Sequence, residues 1–192
     1  GRRQPAGVFR PLGGDRKRGE AGRSGSRRAI EVPAATPALA ALVDAGVPHE
    51  VVKFAHDPRE RSFGDEAVRQ LTTTGSIAPE QIYKTLVVAL PNGLAAAVLP
   101  ALARLSLKAV AAALGAVKAT LADRSAAERA TGYVMGAVSP FGHRTPLPTV
   151  VDSGALTWDR VYCSAGRRGW DVAVAPKDLV RLTRAVTAAI QA

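Results

Sequence analysis

Two apolar runs joined by a tight turn limit most strongly what this chain can fold into. Residues 85–90 and 94–99 are both apolar runs, and Pro91, Asn92 and Gly93 lie between them. Asn-Gly between two such runs is a strong signal for a β-hairpin. A hairpin places neighbouring strands antiparallel, so the sequence argues against a sheet built of parallel strands alone.

Helices are predicted between the strands from cap residues and apolar spacing. Thr36, Ser106 and Asp123 are N-cap candidates, each placed where a helix is expected to begin. A final helix is predicted from Pro176, with one apolar face made of Leu179, Leu182, Val186 and Ile190. Strands and helices that are mixed in this way, with a hairpin, favour an α/β domain with a mixed sheet over a doubly wound one.

The positive charge is concentrated at the N-terminus. The net charge is +10, and residues 1–33 contribute +6 of it, with nine Arg or Lys against three Asp or Glu. This segment shows no sustained apolar period, and we predict a disordered basic tail over residues 1–33 and a single domain over residues 34–192. The tail is either an arm that contacts RNA phosphates or an extension without a role, and the second interpretation is favoured.

Composition points to the cytoplasm. Cys163 is the single cysteine, so no disulfide can form within the chain. The apolar runs are too short to span a bilayer, and no apolar core follows the basic N-terminus as it would in a secretory leader. No membrane association is expected.

The usual catalytic arrangements are missing from the sequence. His49, His56 and His143 lack the spacing of metal ligands, so neither a metal nor another cofactor is expected. Cys163 alternates with apolar neighbours on a predicted strand, which indicates a small buried hydrophobe rather than a nucleophile. His56, followed by Asp57 and a proline, is interpreted as a turn rather than a catalytic pair.

Four short motifs remain, and they occur in a defined order over the last two-thirds of the chain. They are Phe63-Gly-Asp-Glu66, Tyr83-Lys84-Thr85-Leu86, Thr131-Gly-Tyr133 with Gly136-Ala-Val-Ser-Pro140, and Ser164-Ala-Gly-Arg-Arg-Gly169. Their order and spacing resemble the YbaK family of aminoacyl-tRNA deacylases, relatives of the editing domain of bacterial prolyl-tRNA synthetases. The resemblance runs from about Thr36 to the C-terminus. It implies a curved mixed sheet, partly closed into a barrel and surrounded by helices.

The resemblance implies two catalytic residues. Lys84 matches the active-site lysine of the family, whereas a lysine in this position would otherwise be read as a surface residue whose amine reaches solvent. Gly136 and Pro140 match a glycine loop whose backbone N–H groups would face the aminoacyl carbonyl. Many relatives have a second glycine where this chain has Ala137.

The resemblance also implies a set of substrate-binding residues. Phe54 replaces a tyrosine found in some relatives, so any role for that hydroxyl is lost. Phe63 is otherwise an ordinary core aromatic, and residues 164–169 are otherwise a basic hairpin turn. The implied substrate-binding residues are Phe63, Tyr133, Ser139, Pro140, Ser164, Gly166, Arg168 and Asp171.

The expected activity is removal of a small amino acid from mischarged tRNA, with cysteine on proline tRNA as the first expectation. In the family, the thiol of the substrate attacks its own carbonyl, which explains the missing triad. Two alternatives stay open: a related deacylase that removes alanine with water, and a non-catalytic module that binds aminoacyl-tRNA or a synthetase. The expected partners are the acceptor end of aminoacyl-tRNA and prolyl-tRNA synthetase.

Overall fold

The computed structural model describes residues 35–192. The predicted tail at residues 1–33 and residue 34 lie outside the described residues. Within residues 35–192, no helix has both the length and the apolar character needed to cross a membrane.

Residues 35–192 contain five α-helices and eight β-strands. The helices are α1 (Pro37–Asp44), α2 (Phe63–Leu71), α3 (Leu107–Ala113), α4 (Arg124–Thr131) and α5 (Pro176–Thr183). The strands are β1 (His49–Lys53), β2 (Tyr83–Leu90), β3 (Gly93–Pro100), β4 (Thr120–Leu121), β5 (Thr149–Asp152), β6 (Val161–Arg167), β7 (Trp170–Val174) and β8 (Val186–Ala188).

Five strands form a mixed sheet in the order β4-β2-β3-β5-β8. The predicted hairpin is its centre: β2 and β3 pair antiparallel from Tyr83 opposite Pro100 to Leu90 opposite Gly93. Strand β5 adds parallel to β3, and β8 adds parallel to β5. The predicted α/β class with a mixed sheet is therefore confirmed.

The other three strands form a separate antiparallel sheet in the order β1-β7-β6. An isolated parallel bridge between Ile82 and Tyr162 links the two sheets just before β2 begins. The expected single curved sheet is thus divided in two, and no closed barrel is found among residues 35–192.

The core covers both faces of the central hairpin. Because side chains alternate along a strand, Ala97 and Leu99 of β3 pack on the α3 side with Val110, while Val98 packs on the opposite side. On that opposite side, Val98 belongs to the same hydrophobic cluster as Val172 of β7. The hairpin is held rigidly between two apolar layers, and its N-terminal strand can present side chains in fixed positions.

The predicted helix starts are confirmed. The hydroxyl of Thr36 accepts a hydrogen bond from the Leu39 N–H at 3.1 Å, and Ser106 and Asp123 cap α3 and α4 in the same way. Thr36 also donates to the Ala165 carbonyl at 2.6 Å, which ties α1 to β6.

The predicted final helix is wrong in its second half. Helix α5 ends at Thr183, because Arg184 adopts a left-handed conformation with φ of 52°. Val186 then lies in β8 and pairs with β5, while Ile190 is fully buried beyond it. The apolar spacing was that of a short helix followed by an edge strand.

Candidate functional site

A cavity of about 340 Å³ lies between β2, helices α2 and α4, and the ends of β6 and β7. This volume suits a small-molecule group such as the end of a nucleic acid chain, rather than a macromolecule. Six of the predicted site residues line it together, although they are far apart in sequence. They are Phe63, Lys84, Gly136, Ser164, Arg168 and Asp171.

One wall of the cavity is an open strand edge. Strand β4 pairs only with Val88 and Ala89 of β2. The part of β2 before Val88 therefore pairs with a neighbouring strand only along its β3 edge. In this part of β2, Lys84, Thr85 and Leu86 line the cavity. An unpaired strand edge presents backbone N–H and C=O groups, which can hydrogen-bond an extended ligand.

Lys84 is held at the cavity wall by its amine. Its Nζ donates to the Ala103 carbonyl at 2.7 Å, and the side chain is half-buried. Burial lowers the pKa of Lys84, while the charge of Asp65 opposes this shift. Lys84 is therefore not a surface lysine whose amine reaches freely into solvent, which was the alternative interpretation of the sequence.

The glycine loop packs directly against Phe63. Gly136 has φ of +84°, and a Cβ at this position would lie 2.5 Å from Cγ of Phe63. Arg168 closes the arrangement: its Nη2 donates to the Met135 carbonyl at 2.8 Å, and its guanidinium carbon lies 4.8 Å from the centroid of the Phe63 ring. Only glycine allows the loop, the ring and the guanidinium to approach this closely.

Among residues 35–192, the loop offers unpaired backbone N–H groups at Gly136 and Val138, both of which line the cavity. The Met135 N–H donates to Oε1 of Glu128 at 3.0 Å, and the Ala137 N–H donates to the Val134 carbonyl at 3.0 Å. The Gly136 N–H, by contrast, has no hydrogen-bond partner among residues 35–192. The alanine at position 137 therefore leaves the unpaired donor at Gly136 in place.

Asp171 and Ser164 face each other across β7 and β6. Both line the cavity, and the Ser164 hydroxyl accepts a hydrogen bond from the Gly166 N–H at 3.1 Å. Burial raises the pKa of Asp171 to about 7. Near neutral pH, this carboxyl can therefore donate or accept a proton in the cavity.

We predict that Asp171→Asn stabilises the protein more at pH 8 than at pH 5. Between its ordinary pKa near 4 and the raised value of about 7, the unfolded chain has lost a proton that the folded chain retains. The free energy of unfolding of the wild type therefore falls as pH rises through this window. Thermal melts at the two pH values measure the difference, with the exposed Asp159→Asn as control. An equal effect of Asp171→Asn at both pH values would contradict the prediction.

Four predicted substrate-binding residues lie behind the cavity wall rather than in it: Tyr133, Ser139, Pro140 and Gly166. The Tyr133 hydroxyl donates to the Phe141 carbonyl at 2.6 Å, and the Ser139 hydroxyl accepts from the Phe141 N–H at 3.3 Å. A Cβ on Gly166 would lie 2.7 Å from the Tyr133 ring. Their contacts are those of residues that support the 133–141 loop.

His56 and Glu66 line the cavity and were not predicted as site residues. Nδ1 of His56 lies 2.7 Å from Oε2 of Glu66, and the Asp57 N–H donates to the other carboxylate oxygen at 2.8 Å. The histidine is thus oriented by Glu66, not by the adjacent Asp57. Glu66 is the last residue of the Phe63–Glu66 motif, and this was the only sequence signal for the pair. His56 lies ten positions earlier, in a loop, and no local sequence pattern predicts that the two side chains meet.

Thr85 was also missed. Thr85 lines the cavity, and its hydroxyl oxygen is buried and has no hydrogen-bond partner among the residues that the structure describes. An unsatisfied buried hydroxyl costs about 1–3 kcal/mol.

Cys163 is buried in the core, away from the cavity. Burial raises the pKa of its thiol well above the ordinary value. It packs as the small hydrophobe that the strand pattern predicted. Within residues 35–192, no three His, Cys, Asp or Glu side chains come together as metal ligands do.

Comparisons with known proteins agree with this fold. The family model described as an aminoacyl-tRNA editing domain matches residues 65–182. A protein of Enterococcus faecalis named as a candidate Cys-tRNA(Pro)/Cys-tRNA(Cys) deacylase, EbsC, is 33% identical over 138 residues, which are 71% of this chain and 81% of the relative.

Two solved structures share the fold. A candidate trans-editing enzyme for prolyl-tRNA synthetase superposes with a TM-score of 0.70 at 25% identity, covering 81% of this chain and 95% of the other. A scaffold protein used for computational epitope grafting gives a TM-score of 0.70 at 26% identity with the same coverage. The chain belongs to the aminoacyl-tRNA editing domain family, as a YbaK-type member.

Proposed function

We propose that this protein is a trans-editing deacylase that removes cysteine from Cys-tRNA(Pro) in the cytoplasm. The observation that carries the proposal is the cavity of about 340 Å³ that brings Lys84 and the Gly136 loop together. Its size suits an aminoacyl group on a terminal ribose. Membership of the editing family supports an aminoacyl-tRNA substrate, and the name of the Enterococcus relative, which covers both Cys-tRNA(Pro) and Cys-tRNA(Cys), supports cysteine as the amino acid.

The proposed chemistry needs no nucleophile from the protein. The thiol sulfur of the bound cysteine attacks its own carbonyl carbon, a new C–S bond forms, and the ester C–O bond to the ribose breaks. The ribose oxygen leaves with the proton that the thiol has lost, so the products are free tRNA and a cysteine thiolactone. Because the attack is intramolecular, holding the substrate in a reactive geometry supplies much of the rate.

The cavity wall supports this route. Its hydroxyl side chains include Thr85 and Ser164, and neither is hydrogen-bonded to a histidine among residues 35–192. Cys163 is buried elsewhere. A nucleophile paired with a base, as covalent catalysis by a serine or cysteine requires, is therefore not assembled in the described part of the chain.

Five residues of the wall have a proposed role. The ammonium of Lys84 stabilises negative charge near the ester, and the Gly136 N–H donates to the developing oxyanion. The Phe63 ring limits the size of the amino acid, because it fills the space next to the loop. Ser164 and Asp171 orient the aminoacyl end by hydrogen bonds. Prolyl-tRNA synthetase, the enzyme that would supply the mischarged tRNA, is the proposed partner.

A second candidate is removal of alanine by water, and the His56–Glu66 pair is the observation that favours it. Oε2 of Glu66 accepts a hydrogen bond from the Nδ1–H of His56. Nε2 of a neutral His56 is then left as an acceptor that can take a proton from water. This route yields free alanine rather than a thiolactone.

The deciding experiment is deacylation of Cys-, Ala- and Pro-charged proline tRNA by the purified protein without added metal, with the amino-acid product identified. We expect selective loss of cysteine as thiolactone, unaffected by His56→Gln. Selective release of free alanine that His56→Gln slows would support the water route instead. Binding of all three without any deacylation would refute the proposal and favour a non-catalytic module.

A further inference from the structure

A row of three side chains crosses the end of the three-stranded sheet. Trp170 begins β7, and its register partners on the two neighbouring strands are Lys53 of β1 and Arg167 of β6. Nζ of Lys53 lies 3.9 Å from the centroid of the Trp170 ring, and the guanidinium carbon of Arg167 lies 4.9 Å from it. The ring thus holds two cations close together by cation–π contacts. We call these three residues the Lys-Trp-Arg row.

The row keeps its positive charge. Lys53 and Arg167 are both exposed, and neither has a carboxylate within 4.0 Å among residues 35–192. Some other surface arginines are paired with a carboxylate, as Arg160 is with Glu50 at 3.0 Å. Two adjacent cations without an acid between them repel each other, so the arrangement is favoured when an anion binds.

The row adjoins the cavity. Arg167 itself lines the cavity, and so do Phe54, Arg168 and Gly169, which directly follow or precede members of the row in the chain. The Phe54 N–H donates to the Gly169 carbonyl at 2.8 Å, which continues the β1–β7 pairing to the cavity rim. A chain that leaves the cavity over this end of the sheet passes the Lys-Trp-Arg row.

We propose that the Lys-Trp-Arg row binds backbone phosphates of the tRNA strand whose end occupies the cavity. The inference rests on the proposed function, because it assumes an aminoacyl-tRNA substrate. A nucleic acid strand carries one phosphate charge per about 3.4 Å of helix axis, so two neighbouring cations can face successive phosphates. Trp170 limits the freedom of both side chains beforehand, which reduces the entropy lost on binding.

The test compares two charge-matched double variants of the full 192-residue protein. Lys53→Gln with Arg167→Gln removes the cations of the row. Lys108→Gln with Lys177→Gln removes two exposed charges from α3 and α5, outside the cavity wall. The measurements are the Kd for uncharged proline tRNA at several salt concentrations, and kcat and KM for Cys-tRNA(Pro).

We expect the row variant to bind tRNA about tenfold more weakly and to lower the slope of log Kd against log salt by about 1 to 2, since each lost phosphate contact contributes about 0.7–0.9. Its KM rises while kcat stays within about twofold of the wild type. The control variant keeps the wild-type slope. Equal slopes for the two variants, or a fall in kcat at unchanged KM, would overturn the inference.

Fluorescence gives a second readout that does not depend on catalysis. Trp158 and Trp170 are the two tryptophans, so Trp158→Phe leaves Trp170 as the only tryptophan emitter. We expect tRNA to change this emission, and to do so less at high salt. Binding of tRNA without any change in Trp170 emission would contradict the proposal. A change in emission that appears only when prolyl-tRNA synthetase is present would contradict it as well. A wild type that binds but deacylates nothing would instead refute the proposed function alone.

Discussion

Replacing Lys84 with alanine is expected to lower kcat/KM for mischarged tRNA by about 100- to 1000-fold. Removal of one preorganised donor from a site of developing negative charge typically has an effect of this size. The Lys84 amine is fixed at the cavity wall by its 2.7 Å hydrogen bond to the Ala103 carbonyl, so its position does not depend on the substrate. Single-turnover deacylation at subsaturating enzyme concentrations measures the change in kcat/KM.

The pH dependence adds a second check on the same residue. Burial lowers the pKa of Lys84, so its amine loses the positive charge at a lower pH than an exposed lysine does. Activity that depends on the ammonium should fall as pH rises through this lowered pKa. Because Lys84→Arg keeps a charge that does not titrate, the alkaline fall attributable to Lys84 should disappear in whatever activity this variant retains.

Two controls separate chemistry from folding. Lys108→Ala removes an exposed lysine from α3 and should leave kcat/KM unchanged. Lys84→Met should not lower the melting temperature at neutral pH, because a lysine whose folded-state pKa is depressed opposes folding while it is protonated. Wild-type activity in Lys84→Ala would show that the catalytic assignment is wrong.

Gly136→Ala is expected to reduce kcat/KM by about 100-fold and to destabilise the protein. The positive φ of Gly136 costs an L-residue about 1–2 kcal/mol. The new Cβ would also lie 2.5 Å from the Phe63 ring, so either the loop or the ring must move. A displacement near 1 Å at a reacting centre can cost about 100-fold in rate.

Gly132→Ala is the matched control for backbone strain. Gly132 has a similar φ of +80°, but its Cβ would meet only the Arg144 side chain at an ordinary 3.6 Å. Both variants should lose stability from the strained backbone, as thermal melts would show. Only Gly136→Ala should lose most of its activity. A comparable loss of activity in both would assign the effect to strain and not to the contact between Gly136 and Phe63.

Local signals in the sequence predicted the framework of the fold. The hairpin at residues 85–99 is a short-range structure, and its turn residues and apolar runs lie together in the chain. The helix caps at Thr36, Ser106 and Asp123 are equally local, since each hydroxyl or carboxylate binds an N–H three residues away. Lys84 and Gly136 were predicted as site residues from the order of the motifs and not from apolar periodicity.

Features that depend on distant partners escaped prediction. Val186 fits a helical spacing, yet it pairs with Val150 of β5, more than thirty positions away. The division into two sheets rests on strand partners that no local pattern identifies. Glu66 in α2 orients His56 in the preceding loop, ten positions earlier in the chain. Each of these required knowledge of which segments meet in space.

The burial of Cys163 has a consequence for the proposed release of a thiolactone. Such a product is an acylating agent, and thiolates are the side chains that it modifies fastest. The only thiol of this chain is fully buried, and its raised pKa keeps the thiolate population very small. The folded protein is therefore resistant to self-acylation at sulfur by the product of the proposed reaction.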